Sequence, residues 1–421
     1  MVVTGLGVVA PNGVGVPAFE RALRAGTSGL TIQPRLRELG FGCHVAGVPD
    51  VPEERLQQSL SPLERKRLTS KGLVYGLLAG LEAFRDSGLQ ANKESPRNPR
   101  WGCVFGAGVP GIDVLGPGIA QIDAGAVRRL GSAMIEMQMP STCAAYLAAK
   151  LGFGGQVSCN SLACATGTES LLTGAERIAT GQADVVLVGS CESGGEHLWG
   201  SFDTLRVLAR GFNDTPQAAS RPLSATATGF VPAAGAGALV LESKDHAAKR
   251  DAKAYAEVAG GHINCGAQQQ GGSMTLPNPD AVVECIVGAL AHANVRKRQI
   301  DAISGHLTAT RGDVAEVACL SQALEARGSN FPHINSLKSL IGHALSASGA
   351  IELVASALQL SRGFLHASSN SEDPDPKLKS WLDTTRIVTE TADVPGLETL
   401  LKCSFGFGDL NACAVLQRCN P

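Results

Sequence analysis

Asn160-Ser161-Leu162-Ala163-Cys164-Ala165-Thr166-Gly167-Thr168 is the stretch that decides the fold. Gln156-Val157-Ser158 before it is short and β-compatible. After it, Leu171, Leu172, Ala175, Ile178 and Ala179 recur at helical spacing until Gly181 ends the pattern. Asp184 to Gly189 then reads as a buried strand. One cysteine therefore stands at a strand-to-helix hinge, facing free backbone N–H groups and the positive end of a helix dipole, which favours thiolate over thiol. Cysteine becomes a nucleophile in that setting. The same segment would also suit a small core cysteine, so the rest of the chain has to decide.

Three other blocks share this strand-turn-helix or strand-turn-strand character. They are Gly305-His306-Leu307-Thr308-Ala309-Thr310-Arg311-Gly312-Asp313, Asn335-Ser336-Leu337-Lys338-Ser339-Leu340-Ile341-Gly342-His343-Ala344, and Cys403-Ser404-Phe405-Gly406-Phe407-Gly408-Asp409-Leu410-Asn411-Ala412. Met1 to Gly13 reads as a first strand. Val185 to Gly189, Ala238 to Leu241, Ile300 to Ser304 and His333 to Ser336 read as short buried strands. Helical patterns occupy about 63–87, 168–180, 279–293, 314–326 and 345–360. Strands and helices alternate through both halves, which predicts α/β layers with helices covering central sheets.

At 421 residues the chain exceeds the usual single-core size and predicts two lobes. Lys plus Arg number 36 against 38 for Asp plus Glu, so charge makes no general case for nucleic acid or an anionic membrane. No apolar run reaches transmembrane length, and the N-terminus reads as a strand rather than a signal peptide. The 12 cysteines show no CxxC pairing and fall mostly in apolar segments, which predicts a reduced, cytoplasmic protein with no disulfide framework and no metal cluster.

In order and spacing, the four blocks resemble the β-ketoacyl-acyl-carrier-protein synthases, the elongating condensing enzymes of fatty acid and polyketide synthesis. Asn213 to Glu242, with Ala219-Ser220-Arg221-Pro222, Gly229-Phe230-Val231 and Gly235-Ala236-Gly237, resembles the family's mid-chain pattern. The resemblance implies the thiolase-like fold, two pseudo-symmetric βαβαβ halves stacked as α-β-α-β-α, with an N-terminal half over 1–250 and a C-terminal half over 251–421. It implies decarboxylative Claisen condensation of a cysteine-bound acyl group with malonyl-acyl carrier protein. Cys164 matches the acylated nucleophile, and the backbone N–H groups of Cys164 and Phe407 match an oxyanion hole. His306 and His343 match two neutral histidines that stabilise the malonyl enolate, and Lys338 with Glu352 matches a charged pair behind His343. Thr308 and Thr310 match hydroxyls that bind the phosphopantetheine arm, which arrives on the carrier protein, so no resident cofactor is expected. Val109, Gln138 and Phe405 match acyl-binding positions. Lys66, Arg67, Arg128, Arg129 and Arg206 match cations that would dock an acidic carrier protein.

The partners implied are an acyl carrier protein and either a second copy of the chain or a related subunit, without nucleic acid or membrane insertion. Four departures stand out: Cys403 in place of the family's usual Asn, Asp409 in place of Gly, Ala233-Ala234 before Gly235, and Leu307 after His306. They point to a polyketide or specialised lipid pathway rather than housekeeping fatty acid elongation. Glu136 and Gln138 fall in the acyl-pocket segment, which predicts a substrate with polar or unsaturated groups, unless those side chains face solvent and Val109, Met137 and Met139 line the pocket. A catalytically silent chain-length-factor-like partner is the competing class, though such partners typically lose the cysteine. A coenzyme A-dependent thiolase or acyltransferase is the third, opposed by the two-histidine pattern.

Overall fold

The computed structural model describes residues 1–90 and 97–419. The N-terminal half contributes strands β1 (Val2–Ala10), β2 (Trp101–Ala107), β3 (Val157–Ser158), β4 (Val185–Glu192) and β5 (Gly235–Glu242). Three of its helices lie between them: α1 (Lys71–Asp86), α2 (Thr142–Leu151) and α3 (Thr166–Ala179). The C-terminal half repeats the plan with β6 (Ala256–Cys265), β7 (Ala302–Ser304), β8 (His333–Asn335), β9 (Thr399–Gly406) and β10 (Leu410–Gln417). Its corresponding helices are α4 (Pro279–Ala293), α5 (Gly312–Leu324) and α6 (Ser348–Arg362).

Strand order is β3-β2-β4-β5-β1 in one half and β8-β7-β9-β10-β6 in the other, so each strand has its counterpart five places on. No repeat is visible in the residues themselves, because the symmetry lies in hydrophobic pattern rather than identity. The halves join edge to edge into one continuous sheet where Val2 pairs Glu257 and Val3 pairs Ala256.

Layering follows from the apolar faces. Leu171, Ala175 and Ile178 of α3 and Ile351, Val354 and Leu358 of α6 share one core with β1, β4, β5, β9 and β10. Helices α1 and α2 cover the outer face of the first half, and α4 and α5 cover that of the second. The order is therefore helix, sheet, helix, sheet, helix, as expected. Close approach is built in: a Cβ at Gly76 of α1 would lie 2.5 Å from Cys143 Sγ on α2.

The helix expected over 63–87 is two helices. Pro62–Arg67 is closed at its start by a Ser61/Glu64 capping box, and residues 68–70 are extended. Helix α1 then begins at Lys71, where Asp113 accepts from the Lys71 amide at 2.6 Å and Ser193 Oγ accepts from that of Gly72 at 3.1 Å. Satisfying those free donors fixes a new helix start that periodicity alone does not reveal. All 12 cysteines are free thiols. No helix is long and apolar enough to cross a membrane among the described residues.

Candidate active site

The loops beyond the C-terminal ends of β3, β7, β8 and β9 converge, bringing together residues up to 243 positions apart in the chain (Cys164 and Phe407). Cys164 sits one residue before the Ala165 cap of α3, in a tight turn where Ala163 takes φ 46°. That left-handed conformation is costly for alanine, and side chains compensate. Thr166 Oγ1 accepts from the Leu162 amide at 2.8 Å and donates to the Ala163 carbonyl at 2.7 Å. Asn160 Nδ2 donates to the Thr166 carbonyl at 3.1 Å and to Glu169 at 2.7 Å.

Cys164 is 9% exposed, and burial pushes its thiol up to about 11, with Lys338 and the Phe407 amide opposing that shift. The expected resting thiolate is therefore corrected: the helix terminus does not overcome desolvation before a substrate arrives. Because the pKa is raised, alkylation of Cys164 by iodoacetamide should keep climbing across about pH 7 to 10 without the plateau of an ordinary thiol. A plateau below about pH 8 in a mass-spectrometric time course would contradict this.

His343 Nε2 lies 3.2 Å from Cys164 Sγ, and its Nδ1 lies 2.9 Å from the Ser348 hydroxyl at the start of α6. A hydroxyl donating to Nδ1 would leave the proton on Nε2, aimed at the sulfur and the space beside it. The His306 ring packs edge-on to His343 with centroids 5.4 Å apart, and its buried Nδ1 has no hydrogen-bond partner among the described residues. Burial first, then the Lys338 charge, hold both imidazoles well below their ordinary pKa, so both are neutral. The sulfur and the two ring nitrogens lie within 4.8 Å of one another. Such a trio would also be compact enough to approach a metal, but its direct S···N contact and neutral rings suit hydrogen bonding to a bound carbonyl.

Behind His343, the ammonium of Lys338 reaches Glu352 Oε1 at 2.5 Å, and both residues are about 1% exposed. This pair was expected. A second lysine was not: Lys402 Nζ on β9 lies 2.9 Å from Glu352 Oε2 and is fully buried.

The segment following β7 is held by two carboxylates that sequence reasoning missed. Glu316 accepts from the amides of His306 at 2.6 Å and Leu307 at 2.8 Å, and Asp313 accepts from those of Thr308 at 2.9 Å and Ala309 at 3.1 Å. Burial raises Asp313 to about 6; burial, reinforced by the neighbouring Asp313, raises Glu316 to about 7. On α5 they resemble the polar side of an amphipathic helix. Their three-residue spacing behind His306 was the available signal. Leu307, where the family commonly has Gly, takes φ 20° under this clamp and is buried. Thr308 and Thr310 are half-buried, with hydroxyls 3.0 Å apart.

The turn from β9 to β10 presents the Phe407 amide to Cys164 Sγ. Gly406 makes this possible, since a Cβ there would sit 3.2 Å from the Cys164 nitrogen and 3.0 Å from the Leu162 carbonyl. Phe405 is buried against His306, with centroids 6.1 Å apart. Asp409 follows the oxyanion turn in sequence but does not face it. At φ 64° it is fully buried and turned away, accepting from the amides of Asn278 at 2.7 Å and Gln268 at 3.0 Å. It ties the 266–278 loop to the turn. Cys403 also faces away, its sulfur 3.7 Å from that of Cys413.

A cavity between α1 and α2 is lined by Met137 and Met139 together with Ser70, Thr142, Cys143 and Ser193, and by neither Glu136 nor Gln138. Glu136 instead accepts from Arg67 at 2.8 Å and from the Tyr146 hydroxyl at 2.6 Å. Arg67 is half-buried in this ion pair. Gln138 is half-buried, and Val109 is 40% exposed. Lys66, Arg128, Arg129 and Arg206 are exposed. Cys159 is only partly buried.

Residues 1–247 match the family model described as beta-ketoacyl synthase, N-terminal domain, and residues 255–372 match that for the C-terminal domain. The chain is 33% identical over 426 residues to 3-oxoacyl-[acyl-carrier-protein] synthase 1 of Escherichia coli (strain K12), covering 99% of this chain and 98% of the relative. It is also 33% identical to the chloroplastic 3-oxoacyl-[acyl-carrier-protein] synthase II of Arabidopsis thaliana, covering 99% of this chain and 75% of the relative. Among solved structures, it superposes with TM-score 0.88 and 30% identity on a chain from a type II polyketide synthase acyl-carrier protein in complex with its ketosynthase bound to the hexaketide, covering 100% of this chain and 99% of that one. The ishigamide ketosynthase/chain length factor superposes with TM-score 0.86 at 26% identity, with the same coverage.

Proposed function

This chain belongs to the β-ketoacyl synthase family of condensing acyltransferases, and on that premise we propose that Cys164, His306 and His343 carry out decarboxylative Claisen condensation on carrier-bound substrates. The observation that carries this reading is the contact of His343 Nε2 with Cys164 Sγ at 3.2 Å, with the His306 ring packed edge-on to His343 at 5.4 Å and the reactive atoms of all three within 4.8 Å of one another. In the first half-reaction the sulfur attacks the thioester carbonyl of an acyl-loaded carrier, and the phosphopantetheine thiol leaves with the proton. The amides of Cys164 and Phe407 stabilise the oxyanion. In the second, malonyl-carrier protein loses CO₂, and the resulting enolate oxygen accepts hydrogen bonds from His306 and His343. The enolate carbon forms a bond to the acyl carbon, and the Cys164 sulfur leaves and is reprotonated from solvent. Thr308 and Thr310 hold the phosphopantetheine arm, while Lys338 and Glu352 orient His343. No resident cofactor or metal takes part in this scheme. Retention of all three reactive side chains favours it over a silent partner subunit.

Within this reaction we place the chain in a polyketide or specialised lipid pathway. The small cavity between α1 and α2 is lined mainly by apolar groups, among them Leu73, Ala107, Met137 and Met139, but the buried Thr142 Oγ1 beside them has no partner among the described residues. An alkyl chain would leave that hydroxyl unsatisfied, at about 1–3 kcal/mol. A polyenoyl or aryl chain offers that hydroxyl a π face, so in a competition between palmitoyl-loaded and short polyenoyl- or aryl-loaded carrier proteins the unsaturated donor should win. Preference for the long saturated chain would return the enzyme to housekeeping elongation.

The carrier docks through Lys66, Arg128, Arg129 and Arg206. The active unit is a dimer, with a second copy or a related subunit, paired along the edge strand β3. Sedimentation at micromolar concentration should give a dimer in the homodimeric case; a monomer that stays active without any added partner would refute the pairing.

A further inference from the structure

Lys402 has no role in the scheme so far, yet few residues are placed more tellingly. It is one of the largest fully buried side chains and lies on β9, five residues before Phe407. Its ammonium faces Glu352 Oε2 at 2.9 Å and donates to Ser404 Oγ at 3.0 Å and to the Cys403 carbonyl. Ser404 Oγ in turn lies 2.9 Å from Thr168 Oγ1, in the first turn of the helix that carries Cys164. One ammonium thus links the strand leading to the oxyanion turn, the helix behind His343 and the helix behind the nucleophile.

Charge makes the arrangement unusual. A buried carboxylate and one lysine would cancel, but here Lys338 and Lys402 share the single Glu352, an excess of one positive charge within this cluster. Such a charge is costly unless it is used. Asp313, Glu192 and Glu316 are the other buried acids nearby. The first two are bonded, respectively, to backbone amides and to Ser346, and Glu316 is turned to the His306 and Leu307 amides. Both lysine charges disfavour protonation of the two rings.

We infer that Lys402 is a positioning residue: by sharing Glu352 with Lys338, it keeps a net positive charge behind His306 and His343, so that both rings remain neutral hydrogen-bond donors for the enolate. Lys402 lies among the charges that lower both histidines, which agrees. The inference rests on the enolate-stabilising roles proposed above.

The test is a charge-balance cycle read as malonyl-carrier decarboxylation against pH. Wild type sets the reference acid limb, because Asp313 at about 6 and Glu316 at about 7 titrate in every variant alike and only the shift between variants is read. Lys402→Gln keeps a hydrogen-bonding group but removes the charge, so the acid limb should move up by about one pH unit or more. Adding Glu352→Gln restores the net charge of one, and the limb should move back down although a second residue has been lost. A purely structural role would lower the rate equally at every pH and make the double variant worse; either result overturns the proposal. If Lys402→Gln is not recovered folded, ¹⁵N-histidine spectra of the wild-type protein decide. Neutral ring shifts for both residues down to about pH 5 support the proposal, and protonation of either near the ordinary value of 6.5 overturns it. A wild type that decarboxylates no malonyl-carrier protein would refute the histidine roles instead and leave the spectra to judge Lys402.

Discussion

Replacing Cys164 with alanine should lower condensation by about 10⁴-fold or more while leaving the fold intact. Alanine fits the space of the thiol without overpacking, and the turn that presents it is held by Asn160 and Thr166 rather than by the sulfur. The loss is large because the nucleophile is not one contributor among several: without it no acyl-enzyme forms, and the acyl half-reaction has no other route. Product formation from acyl- and malonyl-loaded carrier proteins, with circular dichroism as the fold control, measures it. Malonyl decarboxylation alone should survive better, since its donors are untouched. Condensation at near wild-type rate in the alanine variant would remove Cys164 from the mechanism. Cys159, five residues earlier and only partly buried, should be dispensable in the same assay.

His306→Ala and His343→Ala should each slow decarboxylation and condensation by roughly 10²- to 10³-fold, the scale of losing one preorganised oxyanion donor. Both rings are buried and neutral, so each offers one N–H in a site where water does not compete. The two variants should differ in the acyl-transfer half-reaction. His343 touches the sulfur at 3.2 Å, and its loss should slow loading modestly. His306 makes no hydrogen bond to the sulfur among the described residues, and its loss should leave loading nearly unchanged. Stopped-time measurement of acyl-enzyme by intact mass, run alongside CO₂ release, separates the steps. A variant blocked in loading but normal in decarboxylation would reverse the assignment.

Much of this was legible in the residues. The four turn-bearing blocks fall where strands end, and the helix over 279–293 was placed to the residue because Asn278, Pro279 and Asn294 mark its ends. Cys164, His306, His343, Lys338, Glu352 and Phe407 converge as the family pattern implied. What was missed shares one physical cause: burial is a tertiary property. Lys402 alternates with Leu401 and Cys403 on a strand and reads as an ordinary outward residue until α6 covers that face. Asp313 and Glu316 read as a solvated helix face until the His306 segment folds over them. The thiolate expected from the helix terminus gave way to desolvation for the same reason. Glu136 was drawn into the pocket by its place in the chain, whereas Arg67, distant in sequence, turns it away. Asp409 shows the converse. Its place in the chain is next to the oxyanion turn, yet the free amides of Asn278 and Gln268 claim its side chain.

The central claim is that the acyl group passes through the sulfur at the α3 terminus. Peptide mapping by tandem mass spectrometry, after brief exposure of the wild-type protein to an acyl-loaded carrier protein without malonyl donor, tests it most directly. The account predicts one acyl adduct, on the Cys164 peptide, discharged when malonyl-carrier protein is added. An adduct on any of the other cysteines, or an adduct on Cys164 that malonyl-carrier protein does not discharge, would contradict it.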